Sequence, residues 1–241
     1  MKESSFYVTD RSFEQISGYL DLTSEEIMKI PQEGRVLEIG SGVYRNFASG
    51  LSAVRPDLKV VSLDPTLGIK KDDFLSVVKR DSQGKIESVY YTNKIISKDK
   101  DYFLTGKAEN TEKVREERVK SEDLAVAALA PNLPFKNDSF DLIVDTFGPG
   151  LYLHDLGEKE FKQYLKSVFD ILKPEGVARI FPVIKSTLRS QDLDELRKIS
   201  QNYYKETIEK LGLNCVLTFK EIPGTSNERI PEILMIIKKI S

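Results

Sequence analysis

The chain has 241 residues, a length that suits one globular domain with additions, and its 40% apolar and 31% charged residues are typical of a folded protein. The net charge of −2 provides no global basic field for nucleic acid or an anionic membrane, and Cys215 and His154, each the only residue of its type, exclude an internal disulfide, a cysteine metal cluster and most zinc sites. No apolar leader or membrane-length run is present, so we expect a cytoplasmic protein without a bound metal.

The first third of the chain alternates between helical and extended patterns. Residues 1–30 are predicted to form an N-terminal helical segment, in which Thr23 caps a helix and Glu26 completes a capping box. The apolar run 35–39 is predicted to be a strand, the residues after the glycines at 40–42 a helix, and 59–63 a second strand. Strand, helix and strand in this order predict a βαβ unit with parallel strands and a right-handed crossover.

Residues 66–123 depart from this alternation and are predicted to be an insertion between the second and third strands of the sheet. A turn signal at 82–85 separates two partly apolar runs, 74–78 and 86–91, which favours an added hairpin or a helix–strand pair. Residues 98–123 are densely charged and are predicted to form an exposed helix or a mobile segment. The functional alternative for this region is a lid or a substrate-binding insertion.

The regular pattern resumes at residue 123. Strands are predicted at 123–128, 140–145 and 177–184, helices at 158–172 and 191–211, and an antiparallel pair of strands at 214–219 and 233–237. We therefore expect a single domain over residues 1–241 with an α/β, Rossmann-like, doubly wound fold. Its sheet is predicted to be seven-stranded and mostly parallel, with an antiparallel end strand and helices on both faces.

The turn Gly40-Ser41-Gly42 is the candidate binding element. Its glycines allow a sharp turn and a close ligand approach, and the helix behind it offers free N–H donors. Asp64 ends the second strand, where a carboxylate can accept hydrogen bonds from both hydroxyls of a ribose. Glu38 and Arg45 disfavour a dinucleotide, because the first would lie beside a pyrophosphate and the second stands where a third glycine is expected. An adenosine with a cationic tail suits the two acids better.

Four sequence blocks extend this interpretation: VLEIGSG around Glu38, LDP at 63–65, ALAPNLPFKNDSFDLIVDTF at 128–147 and ILKPEGVARI at 171–180. In this order and spacing they resemble the class I S-adenosylmethionine-dependent methyltransferases, and more narrowly the branch described as methyltransferase type 11. The resemblance covers about residues 33–184, roughly two thirds of the chain. It implies S-adenosylmethionine as the cofactor and methyl transfer as the activity.

The resemblance also implies a role for particular positions. Glu38, Gly40, Ser41 and Gly42 would line the methionine end of the cofactor, Asp64 would hold the ribose, and Pro65 would lie beside the adenine. Leu129 and Ala130 would flank the adenine edge, while Asp145 and Phe147 would lie near the sulfonium and the acceptor. Asp141 is predicted to be structural. The chain departs from the family pattern at Tyr44, which replaces the usual third glycine, and at Leu129, which replaces the usual acid near the adenine amino group.

Methyl transfer from a sulfonium is an in-line displacement that needs positioning, and a base only where the nucleophile carries a proton. The candidate bases are His154, Tyr152 and Asp145, all past the predicted strand 140–145. A small-molecule acceptor is expected, since neither an Asn-Pro-Pro-Tyr motif nor a cysteine follows that strand and the weak acidity disfavours a nucleic-acid partner. Two alternatives stay open: a non-catalytic cofactor-binding module of the same fold, and a nicotinamide dehydrogenase, which Glu38 and Arg45 disfavour.

Overall fold

A computed structural model of the chain describes residues 4–7, 11–41, 45–64, 75–80, 86–93, 102–106, 125–126, 130–150, 157–183, 193–222 and 233–241. The strands are β1 (Ser4–Tyr7), β2 (Arg35–Ile39), β3 (Lys59–Leu63), β4 (Leu75–Arg80), β5 (Ile86–Asn93), β6 (Tyr102–Gly106), β7 (Ala125–Val126), β8 (Phe140–Thr146), β9 (Leu172–Phe181), β10 (Cys215–Glu221) and β11 (Ile233–Lys239). The helices are α1 (Phe13–Tyr19), α2 (Ser24–Lys29), α3 (Asn46–Val54), α4 (Glu158–Ile171) and α5 (Leu193–Lys210).

The main sheet has seven strands in the order β10-β11-β9-β8-β2-β3-β7. The pairs β2–β3, β2–β8, β3–β7 and β8–β9 are parallel, whereas β11 runs antiparallel to both β9 and β10. The α/β class, the seven strands and the antiparallel pair at one end of the sheet are therefore confirmed. The antiparallel strand is β11, and it is the second strand from the edge of the sheet. The edge strand, β10, runs in the same direction as β9.

The order of the strands locates the place where a ligand can enter. The chain passes from β2 outward through β3 and β7, and then returns to the other side of β2 to form β8 and β9. The connections after β2 and β8 therefore diverge. In open α/β sheets such a switch point leaves a crevice at the carboxyl ends of the strands.

Alternation along the central strands divides the core between the two faces of the sheet. Val36 and Val144 belong to a buried cluster with Leu20, Phe47 and Leu51, which places α1 and α3 on one face. Leu37 and Ile143 belong to a second cluster, which also contains these buried residues of α4 and α5: Phe161, Tyr164, Leu165, Val168, Tyr204 and Ile208. Because side chains alternate between faces along a strand, Glu38 lies on the α3 face and Asp145 on the α4 face. The prediction of helices on both faces is confirmed.

A second sheet has four strands in the order β1-β6-β5-β4 and contains the predicted hairpin, formed by β4 and β5. Two predictions were wrong here. Ser4–Tyr7 form strand β1 where residues 1–30 were predicted to be helical, and Tyr102–Gly106 form strand β6 where a charged helix or mobile segment was predicted. The two strands pair with each other in parallel across almost one hundred residues, so long-range pairing overrides local pattern. Residues 107–124, the rest of the charged run, lie outside the described residues.

The helical part of the N-terminal segment is held to the main sheet by a buried arginine. Nη1 of Arg179, on β9, donates to the carbonyl oxygens of Leu20 at 2.6 Å and Asp21 at 2.7 Å, and Nη2 pairs with the Glu26 carboxylate. Glu26 is also the predicted capping partner of Thr23, and that capping box is confirmed. The end of α1 and the start of α2 are thus fixed to the same strand. Among the described helices, none is long and apolar enough to cross a membrane.

Arg179→Met is expected to destabilise the protein by about 3 kcal/mol, because it leaves two carbonyl groups and one carboxylate without their buried donor. Urea unfolding measures the loss, and amide hydrogen exchange over residues 13–29 locates it. Lys220→Met is the control, since Lys220 pairs with Asp21 at the surface and is 47% exposed; its loss is expected to cost less than about 1 kcal/mol. Equal losses in the two variants would show that the buried contacts of Arg179 do not hold the segment.

Candidate functional site

A cleft that is partly open to solvent lies at the carboxyl ends of β2 and β8, where the strand order switches. The described residues that line it are Arg11, Ile16, Glu38, Ile39, Gly40, Ser41, Asn46 and Thr146. They come from three parts of the chain: α1 with the segment before it, the end of β2 with the turn into α3, and the end of β8. The predicted glycine turn therefore contributes to one wall of the cleft.

Glu38 is the acidic group of this cleft and is 5% exposed. Its Oε2 accepts hydrogen bonds from the Ser62 hydroxyl at 3.0 Å and from the amide of Ala48, in the first turn of α3, at 3.3 Å. The Ser62 bond follows from the register, which places Glu38 directly opposite Ser62 on β3. Burial raises the pKa of Glu38 to about 7, although both hydrogen bonds and the nearby Arg45 cation lower it. Glu38 can therefore gain or lose a proton near neutral pH.

Asp64 follows β3 and is 8% exposed. Its amide donates to the Val126 carbonyl at 3.1 Å, so the end of β3 is tied to β7. Asp64 lies close enough to Glu38 for its negative charge to raise the pKa of that carboxyl. The two acids predicted to bind the cofactor thus share one electrostatic environment.

The turns after β2 and β8 approach each other at two glycines. Gly40 has a φ of +73°, and a Cβ built on it would lie 2.9 Å from Cα of Gly148. A side chain at Gly40 would meet both a strained backbone and a neighbouring main chain. On the other side of the turn, Arg45 has a φ of 49°, in the left-handed region that glycine favours, and its buried Nε has no hydrogen-bond partner among the described residues.

Asp145 supports the loop after β8. It is fully buried; its Oδ1 accepts from the amide of Gly148 at 3.0 Å, and its Oδ2 from the amide of Gly150 at 2.8 Å and from the Tyr164 hydroxyl at 2.6 Å. Burial raises the pKa of Asp145 to about 6, although the three hydrogen bonds lower it. Both carboxyl oxygens of Asp145 thus accept hydrogen bonds from donors within the chain. This geometry favours a positioning role for Asp145.

An aromatic rim borders the cleft on the β8 side. The ring of Phe147 packs edge-to-face against Tyr19 at 5.6 Å and Phe181 at 5.4 Å between centroids. The guanidinium carbon of Arg11 lies 3.7 Å from the centroid of the Phe147 ring. Thr146, between Asp145 and Phe147, lines the cleft, and its buried Oγ1 has no hydrogen-bond partner within the described ranges.

The structure brings together part of the predicted site. Glu38, Gly40 and Ser41 line the cleft. Asp64 follows β3, Asp145 lies near the end of β8 and Phe147 follows β8, and β2 lies between these two strands. Ala130 is partly buried against the core of the α4 face. Five predicted site residues lie outside the described residues: Gly42, Pro65, Leu129, Tyr152 and His154. Asp141 accepts from the Arg35 amide and from Lys173 Nζ, which confirms its structural role.

Five of the described residues that line the cleft were not among the predicted site residues: Arg11, Ile16, Ile39, Asn46 and Thr146. Asn46 and Thr146 adjoin predicted elements and could have been found as the first residue after the turn and the last of the strand. Nothing local marks Arg11 and Ile16, because they reach the cleft only through the packing of α1 on α3. In the part of the chain that the structure describes, no cluster of His, Cys, Asp or Glu is arranged to hold a metal ion.

No protein-family model and no curated protein matches the sequence. Among solved structures, the chain is similar to an S-adenosylmethionine-dependent methyltransferase from Methanosarcina mazei, with a TM-score of 0.50 and 14% identity over 89% of this chain and 96% of that one. It is also similar to the N-methyltransferase NodS from Bradyrhizobium japonicum WM9, with a TM-score of 0.51 and 12% identity over 97% and 100% of the two chains. A third match is the carbon methyltransferase CurJ, with a TM-score of 0.52 and 14% identity over 97% of this chain and 56% of that one.

The chain has the fold of the S-adenosylmethionine-dependent methyltransferases. The similarity to these structures extends over nearly the whole chain, beyond the two thirds that the sequence blocks cover. At 12–14% identity it concerns the methyltransferase fold alone. Activity, cofactor and acceptor have to be argued from the cleft.

Gly148→Ala is expected to destabilise the protein by about 1–3 kcal/mol, because its Cβ would lie 2.4 Å from Oδ1 of Asp145 and would break a buried hydrogen bond. Thermal unfolding measures the change. Gly18→Ala is the matched control: Gly18 lies inside α1 with nothing within 4 Å of a new Cβ, so alanine should stabilise by about 0.5–1 kcal/mol. A Gly148→Ala protein as stable as the wild type would contradict the close packing of this loop.

Proposed function

We propose that the chain transfers a methyl group from S-adenosylmethionine to a small-molecule acceptor. The observation that carries this proposal is the position of a buried acid, Glu38, beside a glycine turn at the switch point of a methyltransferase fold. The acid and the turn adjoin the same cleft, and Asp64 follows the neighbouring strand. This combination of groups complements a cofactor with a ribose and a cationic tail.

The residues of the cleft suit that cofactor chemically. Glu38 and Asp64 are buried acids that complement an ammonium group and a ribose diol. Thr146 lines the cleft, and its buried Oγ1 has no hydrogen-bond partner among the described residues. Glu38 and Thr146 come from adjacent strands, β2 and β8, so both can contact one bound molecule.

When bound, the cofactor supplies a methyl group on a sulfonium, which an acceptor attacks in line. The chain's own task is to orient the reactants and exclude water. Phe147, with Tyr19 and Phe181 packed around it, forms an apolar wall beside the cleft. Asp145 keeps this wall in place through its bonds to the amides of Gly148 and Gly150.

A base is needed only if the acceptor nucleophile carries a proton. His154 and Tyr152 are proposed for this task because they follow β8 in the chain. Asp145 is proposed as a positioning residue. The neighbouring structures include an N-methyltransferase and a carbon methyltransferase, so the fold is compatible with more than one acceptor atom. A small molecule is proposed as the acceptor because the net charge of −2 provides no broad basic face for a nucleic acid.

Calorimetric titration with S-adenosylhomocysteine and with NAD tests the proposal, and Asp64→Asn tests the site. We expect S-adenosylhomocysteine to bind and NAD not to bind. Asp64→Asn should weaken S-adenosylhomocysteine binding about ten-fold or more, because a charge-assisted hydrogen bond to the ribose contributes roughly 1.5 kcal/mol or above.

The matched control is Asp138→Asn, at an exposed acid that pairs with Lys239 outside the cleft; asparagine tolerates its φ of 54°. This variant should bind like the wild type. Binding of NAD alone would replace the proposal with a dehydrogenase, and binding of neither compound would leave a module without this cofactor. Unchanged affinity in a folded Asp64→Asn protein would remove Asp64 from the site.

The pKa of about 7 at Glu38 predicts a pH-dependent affinity for S-adenosylmethionine. A cationic tail favours the ionised carboxylate, and the free protein must lose a proton from Glu38 to provide it. Affinity should therefore rise with pH, by about ten-fold between pH 6 and pH 8, with proton release on binding. Calorimetry in buffers of different ionisation enthalpy measures both quantities.

Glu38→Gln is the control for this titration, because it keeps the shape of the side chain and removes the ionisable group. The variant should bind more weakly, and the part of the pH dependence that comes from Glu38 should disappear. An identical pH profile in the variant and the wild type would assign the titration to another group.

A further inference from the structure

Tyr164 is a tyrosine of α4 that is linked through Asp145 to the loop after β8. Its side chain is fully buried, and its hydroxyl donates to Oδ2 of Asp145 at 2.6 Å. A buried tyrosine hydroxyl needs a partner, and a carboxylate partner makes the hydrogen bond charge-assisted. This bond joins the packed α4 face of the sheet to the loop that borders the cleft.

The main chain of the loop encloses the Asp145 carboxylate from the other side. A Cβ built on Gly148 would lie 2.4 Å from Oδ1, and one built on Gly150 would lie 2.9 Å from Oδ2. Both glycines also donate their amides to these oxygens. The orientation of this one carboxylate therefore determines where two amides of the loop are held.

The three hydrogen bonds to Asp145 are not equivalent. The two amides belong to the loop, so they cannot orient the carboxylate independently of it. Tyr164 belongs to α4, whose side chains Phe161, Leu165 and Val168 are buried in the core. Because a close-packed core holds side chains in fixed rotamers, the Tyr164 hydroxyl keeps its position independently of the loop. Tyr164 thus orients Asp145 from a rigid element.

The loop anchored at Asp145 adjoins two parts of the proposed site. Thr146, which lines the cleft, directly follows Asp145. Beyond Gly150 the chain continues to Tyr152 and His154, the residues proposed as bases. We therefore expect a change in the orientation of Asp145 to affect both the cleft and the segment that carries these bases.

We propose that Tyr164 is a positioning residue of the methyl-transfer site, which orients the Asp145 carboxylate and so holds the loop after β8 beside the cleft. The inference rests on the proposed function and deepens it, because it names a residue of the opposite sheet face on which binding depends. Ile39 and Ile180 flank Asp145 on the neighbouring strands. Among the described residues, Tyr164 is the titratable group that contacts its carboxylate.

Tyr164→Phe tests the proposal, because it keeps the buried ring and removes the hydroxyl. In ligand-free protein with isotope-labelled glycine, amide exchange at Gly148 and Gly150 should become about ten-fold faster or more. Exchange at Gly212, whose amide donates to the Glu209 carbonyl at 3.0 Å beyond α5, should be unchanged. Unchanged exchange at the two loop glycines, or equal acceleration at Gly212, would overturn the positioning role.

The pH profile of S-adenosylhomocysteine binding distinguishes positioning of the carboxylate from a general effect on stability. Loss of one charge-assisted hydrogen bond makes Asp145 about ten-fold weaker as an acid, so its pKa rises further from the wild-type value of about 6. The ionised carboxylate accepts the loop amides more strongly than the protonated form does. The affinity of Tyr164→Phe should therefore be up to about ten-fold below that of the wild type near pH 5.5.

The difference between the two proteins should disappear above about pH 8.5, where Asp145 is ionised in both. The titration of Glu38 is common to the two proteins, so it cancels in the ratio of their affinities. A loss of affinity that is the same at every pH, or no loss at any pH, would overturn the inference.

Tyr203→Phe is the matched control. Tyr203 belongs to α5, and its ring packs against Phe161 of α4 at 6.3 Å between centroids, so this variant also removes a tyrosine hydroxyl near α4. Its glycine exchange and its pH profile should match those of the wild type. A wild-type protein that does not bind S-adenosylhomocysteine at any pH would overturn the proposed function, and the inference with it. Binding by the wild type with a pH-independent difference in Tyr164→Phe would overturn the inference alone.

Discussion

The cleft depends on the contact between the turns that follow β2 and β8. Cα of Gly148 occupies the space that a Cβ on Gly40 would need, so the two main chains meet without intervening side chains. Asp145 holds the second turn in this position by accepting hydrogen bonds from two of its amides and from Tyr164. The crevice that open α/β sheets have at a switch point is thus bounded here by two closely packed main chains.

The two buried carboxyl groups near this contact do different work. The register places Asp145 beside Ile39, the residue that follows Glu38, but alternation directs the two side chains to opposite faces of the sheet. Asp145 is surrounded by three donors of the chain itself, and its hydrogen bonds hold a loop. Glu38 has two donors on one oxygen and adjoins the cleft. Burial raises the pKa of both groups, but only at Glu38 can a bound cation change the balance between the protonated and ionised forms.

Local pattern predicted most of the main sheet, because buried strands and amphipathic helices such as α4 have clear periodicities. It also found Glu38 and Gly40 as residues of the cleft, since both adjoin a strand end that is visible in the sequence. It could not find β1 and β6, which exist through pairing with each other across almost one hundred residues. Arg11 and Ile16 were missed for the same reason, as they belong to the cleft only after α1 packs on α3. The sequence shows residues that are close along the chain, whereas the cleft is completed by residues that are distant along it.

The segment that contains α1 therefore belongs to the cleft as well as to the fold. The parallel register places Ser62, Glu38, Val144 and Arg179 side by side across β3, β2, β8 and β9, on the face that these helices cover. In this row, Glu38 accepts a hydrogen bond from the first turn of α3, and Arg179, at the β9 end, donates to the carbonyl groups that end α1. A ligand in the cleft would contact both the sheet and the segment that this row holds. Because a ligand that binds only the assembled state stabilises it, occupancy of the cleft and docking of the N-terminal segment must be thermodynamically linked.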